Sequence, residues 1–110
     1  MFVTSDGSPY IRFKRALATG NLNLIRAAAA ELPRVGLADA LQVCLLMRDQ
    51  DGQGFERAAV RWLGRFALEA REVTIDALER AAGALRAMPR SPDLAMEVLS
   101  SLCLEHGVDR

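Results

Sequence analysis

The chain has 110 residues, 51% of them hydrophobic, which suits one domain with its own core. Its 14 Lys and Arg balance 14 Asp and Glu, so no global field draws it to nucleic acid or an anionic membrane. The longest apolar run, Val43 to Met47, is too short to span a bilayer, and MFVTSDGSPY lacks the layout of a secretory signal, so the expected location is cytoplasmic.

Residues 1–8 read as a flexible N-terminus, 9–106 as a single helical domain and 107–110 as a C-terminal tail. Ser8 before Pro9 is a helix-start pair, a capping hydroxyl followed by a residue whose φ is preset. The first helix is predicted from Pro9 to Ala18 and ends at Thr19-Gly20-Asn21. Asn21 then caps a second helix over Leu22 to Leu32, closed by Pro33. The third, Leu37 to Asp49, is apolar nearly all round, which predicts a central, buried element. The run from Asp49 to Gly54 reads as a turn. The fourth helix covers Phe55 to Arg71, with Phe55, Ala59, Trp62 and Phe66 on one face. Thr74 caps a fifth over Ile75 to Met88. Ser91-Pro92 repeats the start signal for a sixth, which runs to Glu105 and terminates at Gly107.

No segment reads as a strand, so the fold class is all-α: six short helices as three antiparallel hairpins. The hairpins either stack like a solenoid or close into a compact bundle. The short loops favour stacking, although no sequence repeat at a fixed period accompanies it.

Catalytic patterns are missing from the sequence. His106 is the sole histidine and falls at a helix end, where an exposed, structural role is expected. Asp49, Asp51 and Gln53 alternate as in a calcium loop, but the twelfth position holds Val60 rather than a bidentate Glu. Gly52 and Gly54 are not followed by the Lys-Ser/Thr of a phosphate loop. Cys44 and Cys103 lie in apolar helical patterns and read as reduced core residues. The expectation is therefore a non-enzymatic protein with no cofactor and no metal.

Two basic clusters remain. Arg57, Arg61 and Arg65 form an i, i+4, i+8 ridge whose like charges repel by a few tenths of a kcal/mol per pair. If helices 3 and 4 run antiparallel about Gly52, Asp39 lies opposite Arg65 and relieves part of that repulsion internally. Otherwise the ridge meets an acidic partner, a phosphate backbone or another subunit. The second cluster, Arg12, Lys14 and Arg15, is interleaved with Tyr10, Ile11 and Phe13, a pattern that serves phosphate contact with base stacking or simply a core-facing helix. Glu31, Asp39, Glu69, Glu72, Asp76, Glu79 and Glu97 are spaced to interrupt any continuous basic surface. Trp62 and Phe66 read as core anchors.

The segments Tyr10-Ile11-Arg12-Phe13-Lys14-Arg15-Ala16-Leu17, Ala27 to Leu32, Ala38-Asp39-Ala40-Leu41 and Phe55 to Trp62 resemble a group of small, uncharacterised all-helical proteins of high-GC Gram-positive bacteria. A basic complement with Lys14 as its only lysine agrees with a GC-rich coding genome. The resemblance implies a bacterial, cytoplasmic protein and imports no mechanism. The resulting expectation is an interaction module or small regulator that binds an acidic or apolar protein partner through the helix 4 ridge, with helix 1 as a second surface. Self-association is compatible with the Ala- and Leu-rich helices. The alternative is a nucleic-acid-binding regulator that uses the same cations.

Overall fold

The computed structural model describes residues 8–108; residues 1–7 of the expected flexible N-terminus and 109–110 of the expected C-terminal tail lie outside the described residues. Six helices follow one another: α1 (Pro9–Thr19), α2 (Leu22–Ala29), α3 (Leu37–Gln50), α4 (Gly52–Glu69), α5 (Ile75–Ala87) and α6 (Pro92–Glu105). No strand occurs among the described residues. No helix among them is long and apolar enough to cross a membrane.

The chain divides into two compact units, Met1–Val35 and Gly36–Arg110. The first is the α1/α2 hairpin. Ser8 Oγ accepts from the Ile11 N–H at 3.4 Å, and Asn21 Oδ1 accepts from the N–H groups of Asn23 and Leu24, so both helices start at their capping residues. Gly20 closes α1 in the left-handed region with φ 71. Among the described residues of this unit, Phe13 and Ile25 are the fully buried large side chains. α2 stops at Ala29 rather than Leu32, because the chain tightens into turns through residues 30–32 ahead of Pro33.

The second unit holds α3 to α6. α3 packs on α4 and α5 on α6; α4 also meets α5 and α3 meets α6, so the four helices form a closed ring. The contact between α3 and α6 decides, for this unit, between an open stack of hairpins and a closed bundle. Its core comprises Leu41, Cys44, Trp62, Phe66, Met88, Leu99 and Leu102, all nearly inaccessible to solvent. α3 provides a buried face as expected, although Gln42 is exposed and Val43, Leu45 and Leu46 are half-buried.

The expected turn at 49–54 is far tighter in the structure. Asp51 alone separates α3 from α4, ending one helix and capping the next by accepting from the Gly54 N–H at 3.0 Å. Gly54 makes this possible: a Cβ there would lie 2.2 Å from Asp51 Oδ2 and 2.8 Å from Met47 Cε. At the other end of the unit, Thr74 Oγ1 caps α5 by accepting from the Ala77 N–H at 3.0 Å, whereas Ser91 at the start of α6 makes no side-chain cap. Gly107, with φ 67, ends α6 in a Schellman arrangement: the Val108 N–H donates to the Cys103 carbonyl and the Gly107 N–H to that of Leu104.

Candidate partner-binding surface

α4 is the organising helix of the second unit. Its inner face carries Phe55, Ala59, Trp62 and Phe66, all buried. The rings of Trp62 and Phe66 stack with centroids 5.2 Å apart, and the indole N–H donates to the Leu37 carbonyl at 2.8 Å. That bond satisfies a buried donor and fixes the level at which α4 passes the start of α3. Both aromatics are core anchors.

The arginine ridge lies on the outer side and is not uniform. Arg65 forms a bidentate pair with Glu69 one turn along α4, at 2.7 and 3.2 Å. The expected pairing of Arg65 with Asp39 does not occur. Because Asp51 rather than Gly52 is the pivot between α3 and α4, the level opposite Asp39 moves from Arg65 to Leu63, and Glu69 satisfies the guanidinium locally. Asp39 is instead buried, and no buried side-chain nitrogen or oxygen among the described residues lacks a hydrogen-bond partner.

Arg57 and Arg61 differ from Arg65. Both are exposed, and among the described residues neither makes a hydrogen bond or an ion pair. Leu68 stands seven residues beyond Arg61 and eleven beyond Arg57, on the same outer stripe, and is 88% exposed. Val60, 63% exposed, borders the stripe three residues after Arg57. The surface therefore combines two unmatched cations with two accessible apolar side chains.

Two of the three basic residues of α1 have partners within the hairpin, and Arg15 is exposed on the same helix. Arg12 pairs with Glu31 beyond α2, and Lys14 Nζ lies 5.8 Å from the centroid of the Tyr10 ring. Phe13, which the interleaved pattern left open as a stacking platform, is fully buried. Tyr10 and Phe13 rings are tilted at 35° with centroids 6.5 Å apart.

The two cysteines are free and buried. Desolvation pushes the Cys44 thiol up to about 11 against a small opposing effect of the nearby Arg61 charge, and burial likewise pushes Cys103 up to about 11. Neither is poised as a nucleophile. Among the described residues no group of three His, Cys, Asp or Glu is placed to hold a metal ion.

His106 corrects an expectation. It is half-buried rather than exposed: its ring meets Phe66 edge-on with centroids 5.8 Å apart, and Nδ1 lies 2.8 Å from the Arg71 carbonyl. The Arg71 N–H returns a bond to the His106 carbonyl at 2.9 Å. This reciprocal clasp ties the end of α6 to the loop after α4. In sequence, only the proximity of His106 to the terminator Gly107 marked a helix end, and nothing local named Arg71 as its partner.

A scan against protein-family models finds no match for this chain, and comparisons with curated proteins and with solved structures find none either.

Proposed function

We propose that this chain is a non-enzymatic interaction module that binds an acidic protein partner on the outer stripe of α4. Arg57 and Arg61 supply the charge recognition, while Val60 and Leu68 supply apolar contact. The observation that carries this reading is the unequal treatment of the ridge. Arg65 has an internal counter-ion, whereas Arg57 and Arg61, one turn apart and mutually repulsive, have none among the described residues. A carboxylate-bearing partner relieves that repulsion and gains charge-assisted hydrogen bonds from two planar guanidinium groups. Exposed apolar residues beside the cations favour a protein surface over a phosphate backbone, since apolar anchors dominate protein interfaces. Two buried, unbridged thiols accord with a reducing, cytoplasmic setting.

The test is affinity capture from host lysate with and without nuclease, using the parent chain and the Arg57→Gln/Arg61→Gln variant. The expected result is a specific protein that survives nuclease, elutes with salt and is lost with the variant. Capture that disappears on nuclease treatment would replace this reading with nucleic-acid binding.

A further inference from the structure

The outer stripe of α4 has a counterpart on α6. On α4, Arg57, Arg61, Gly64 and Leu68 follow one another at i, i+4, i+7 and i+11, and all four are exposed. A turn of about 100° per residue keeps them within an arc of about 60°, along about 16 Å of helix. On α6, Asp93, Glu97, Ser100 and Leu104 repeat that spacing and are exposed as well. Both stripes therefore read charge, charge, small residue, leucine, and their charges have opposite sign. Like Arg57 and Arg61, neither Asp93 nor Glu97 makes a hydrogen bond or an ion pair among the described residues.

The match fixes a register. Parallel packing sets Arg57 against Asp93, Arg61 against Glu97 and Leu68 against Leu104, with Gly64 and Ser100 at the closest approach. Antiparallel packing would set Leu68 against Asp93 and Arg57 against Leu104. The spacing is that of alternating a and d positions in a left-handed helix pair. The flanks agree with the parallel choice. Val60, three residues after Arg57, and Leu94, one after Asp93, are exposed on opposite sides of their stripes, so parallel packing brings both to the same edge of the seam. Gly64 answers no packing need within the chain: nothing lies within 4 Å of the point its Cβ would occupy, and an exposed mid-helix glycine weakens the helix. Its small size suits the approach of a second helix.

We infer that the acidic partner of the α4 stripe is the α6 stripe of a second copy of this chain. The inference rests on the partner-binding reading above and names its occupant. α4 and α6 are opposite corners of the α3–α6 ring, so the contact is head-to-tail. Each copy offers α4 to one neighbour and α6 to another, and the assembly grows with concentration unless the rotation closes a ring. Three turns of helix against three turns make a small interface, so the association is weak and sensitive to salt.

The experiment is sedimentation velocity on the full chain from about 10 μM to about 1 mM, the range that resolves weak association. The expected result is an average mass that rises with concentration and falls when salt is added. Arg57→Gln/Arg61→Gln and Asp93→Asn/Glu97→Gln each weaken association at least about tenfold, while the melting temperature stays within a few degrees. Mixed in equal amounts, these two variants form a one-to-one dimer that grows no further, because one keeps only the α6 stripe and the other only the α4 stripe. Gly64→Gln raises the melting temperature and weakens association. A monomer at about 1 mM, indifference to Asp93→Asn/Glu97→Gln, no dimer from the mixture, or a Gly64→Gln variant that associates like the parent would each overturn the inference. A foreign acidic protein captured through Arg57 and Arg61 by a chain that stays monomeric would overturn it and leave the partner-binding reading standing. Capture and self-association that both ignore Arg57→Gln/Arg61→Gln would overturn both.

Discussion

The basic cluster of α1 and the arginine ridge of α4 look alike as strings of residues and differ in what their own units supply opposite them. In the α1/α2 hairpin, Glu31 answers Arg12 and the Tyr10 ring lies under Lys14. On α4, Glu69 answers Arg65, and Arg57 and Arg61 keep no counter-ion among the described residues. Charge spacing identifies a helix face, but the residues across from it decide whether that face is finished. An unfinished cationic face with exposed Leu68 beside it has more to gain from a partner than a finished one.

That contrast depends on the α3–α6 ring holding α4 rigid, and the most severe way to break it is Leu41→Asp. Leu41 is 2% exposed, so the substitution buries a charge without a partner. A loss of more than about 4 kcal/mol is expected, which abolishes cooperative unfolding in calorimetry and partner capture with it. A variant that melts like the parent would show that α3 is not the buried element described. Next in size is Arg57→Gln/Arg61→Gln. Binding is expected to fall at least about tenfold by titration with the captured partner, while the melting temperature stays within a few degrees. A large drop in melting temperature would move both arginines to a structural role and erase the contrast with Arg12.

Much of the fold was legible because caps and periodicity act locally. Ser8, Asn21 and Thr74 cap the helices they precede, and the Phe55, Ala59, Trp62, Phe66 face is buried as spaced. What escaped was tertiary or depended on a close approach. Gly54 looked like turn punctuation; in the structure it gives Asp51 room to cap, which starts α4 at Gly52 and shifts the register against α3. That shift removed Arg65 from Asp39, so the partition of the ridge could not be read from numbering alone. The contact closing α3 onto α6 and the clasp between His106 and Arg71 join residues distant in sequence and leave no local trace.

The cysteines report on Arg61 from inside the unit. Both thiols are raised from 9.0 to about 11 in the folded state, so the native protein holds protons that the unfolded chain releases first. Stability from these groups is complete below pH 9 and is lost as pH rises from 9.0 towards about 11, measurable as a falling denaturation midpoint. The Arg61 charge opposes the shift at Cys44 and has no such effect on Cys103. Arg61→Gln should therefore raise the Cys44 thiol further and leave Cys103 as an internal control, read by thiolate absorbance against pH. Equal movement of both thiols would mean that Arg61 acts on the core generally rather than through its charge.

The smallest expected effects test the finished side of the comparison. Arg12 with Glu31 and Arg65 with Glu69 are accessible pairs, so double-mutant cycles should return about 0.2–1 kcal/mol for each. Arg65 with Asp39 should give no coupling beyond error, because Glu69 takes both of the hydrogen bonds the guanidinium makes. Raising salt should shrink the first two values together, as both pairs are screened by solvent. A substantial Arg65–Asp39 coupling would restore an internal counter-ion to the ridge. It would also weaken the case that α4 carries its charge for a partner, since relief for one arginine through α3 would extend by repulsion to Arg61 one turn away.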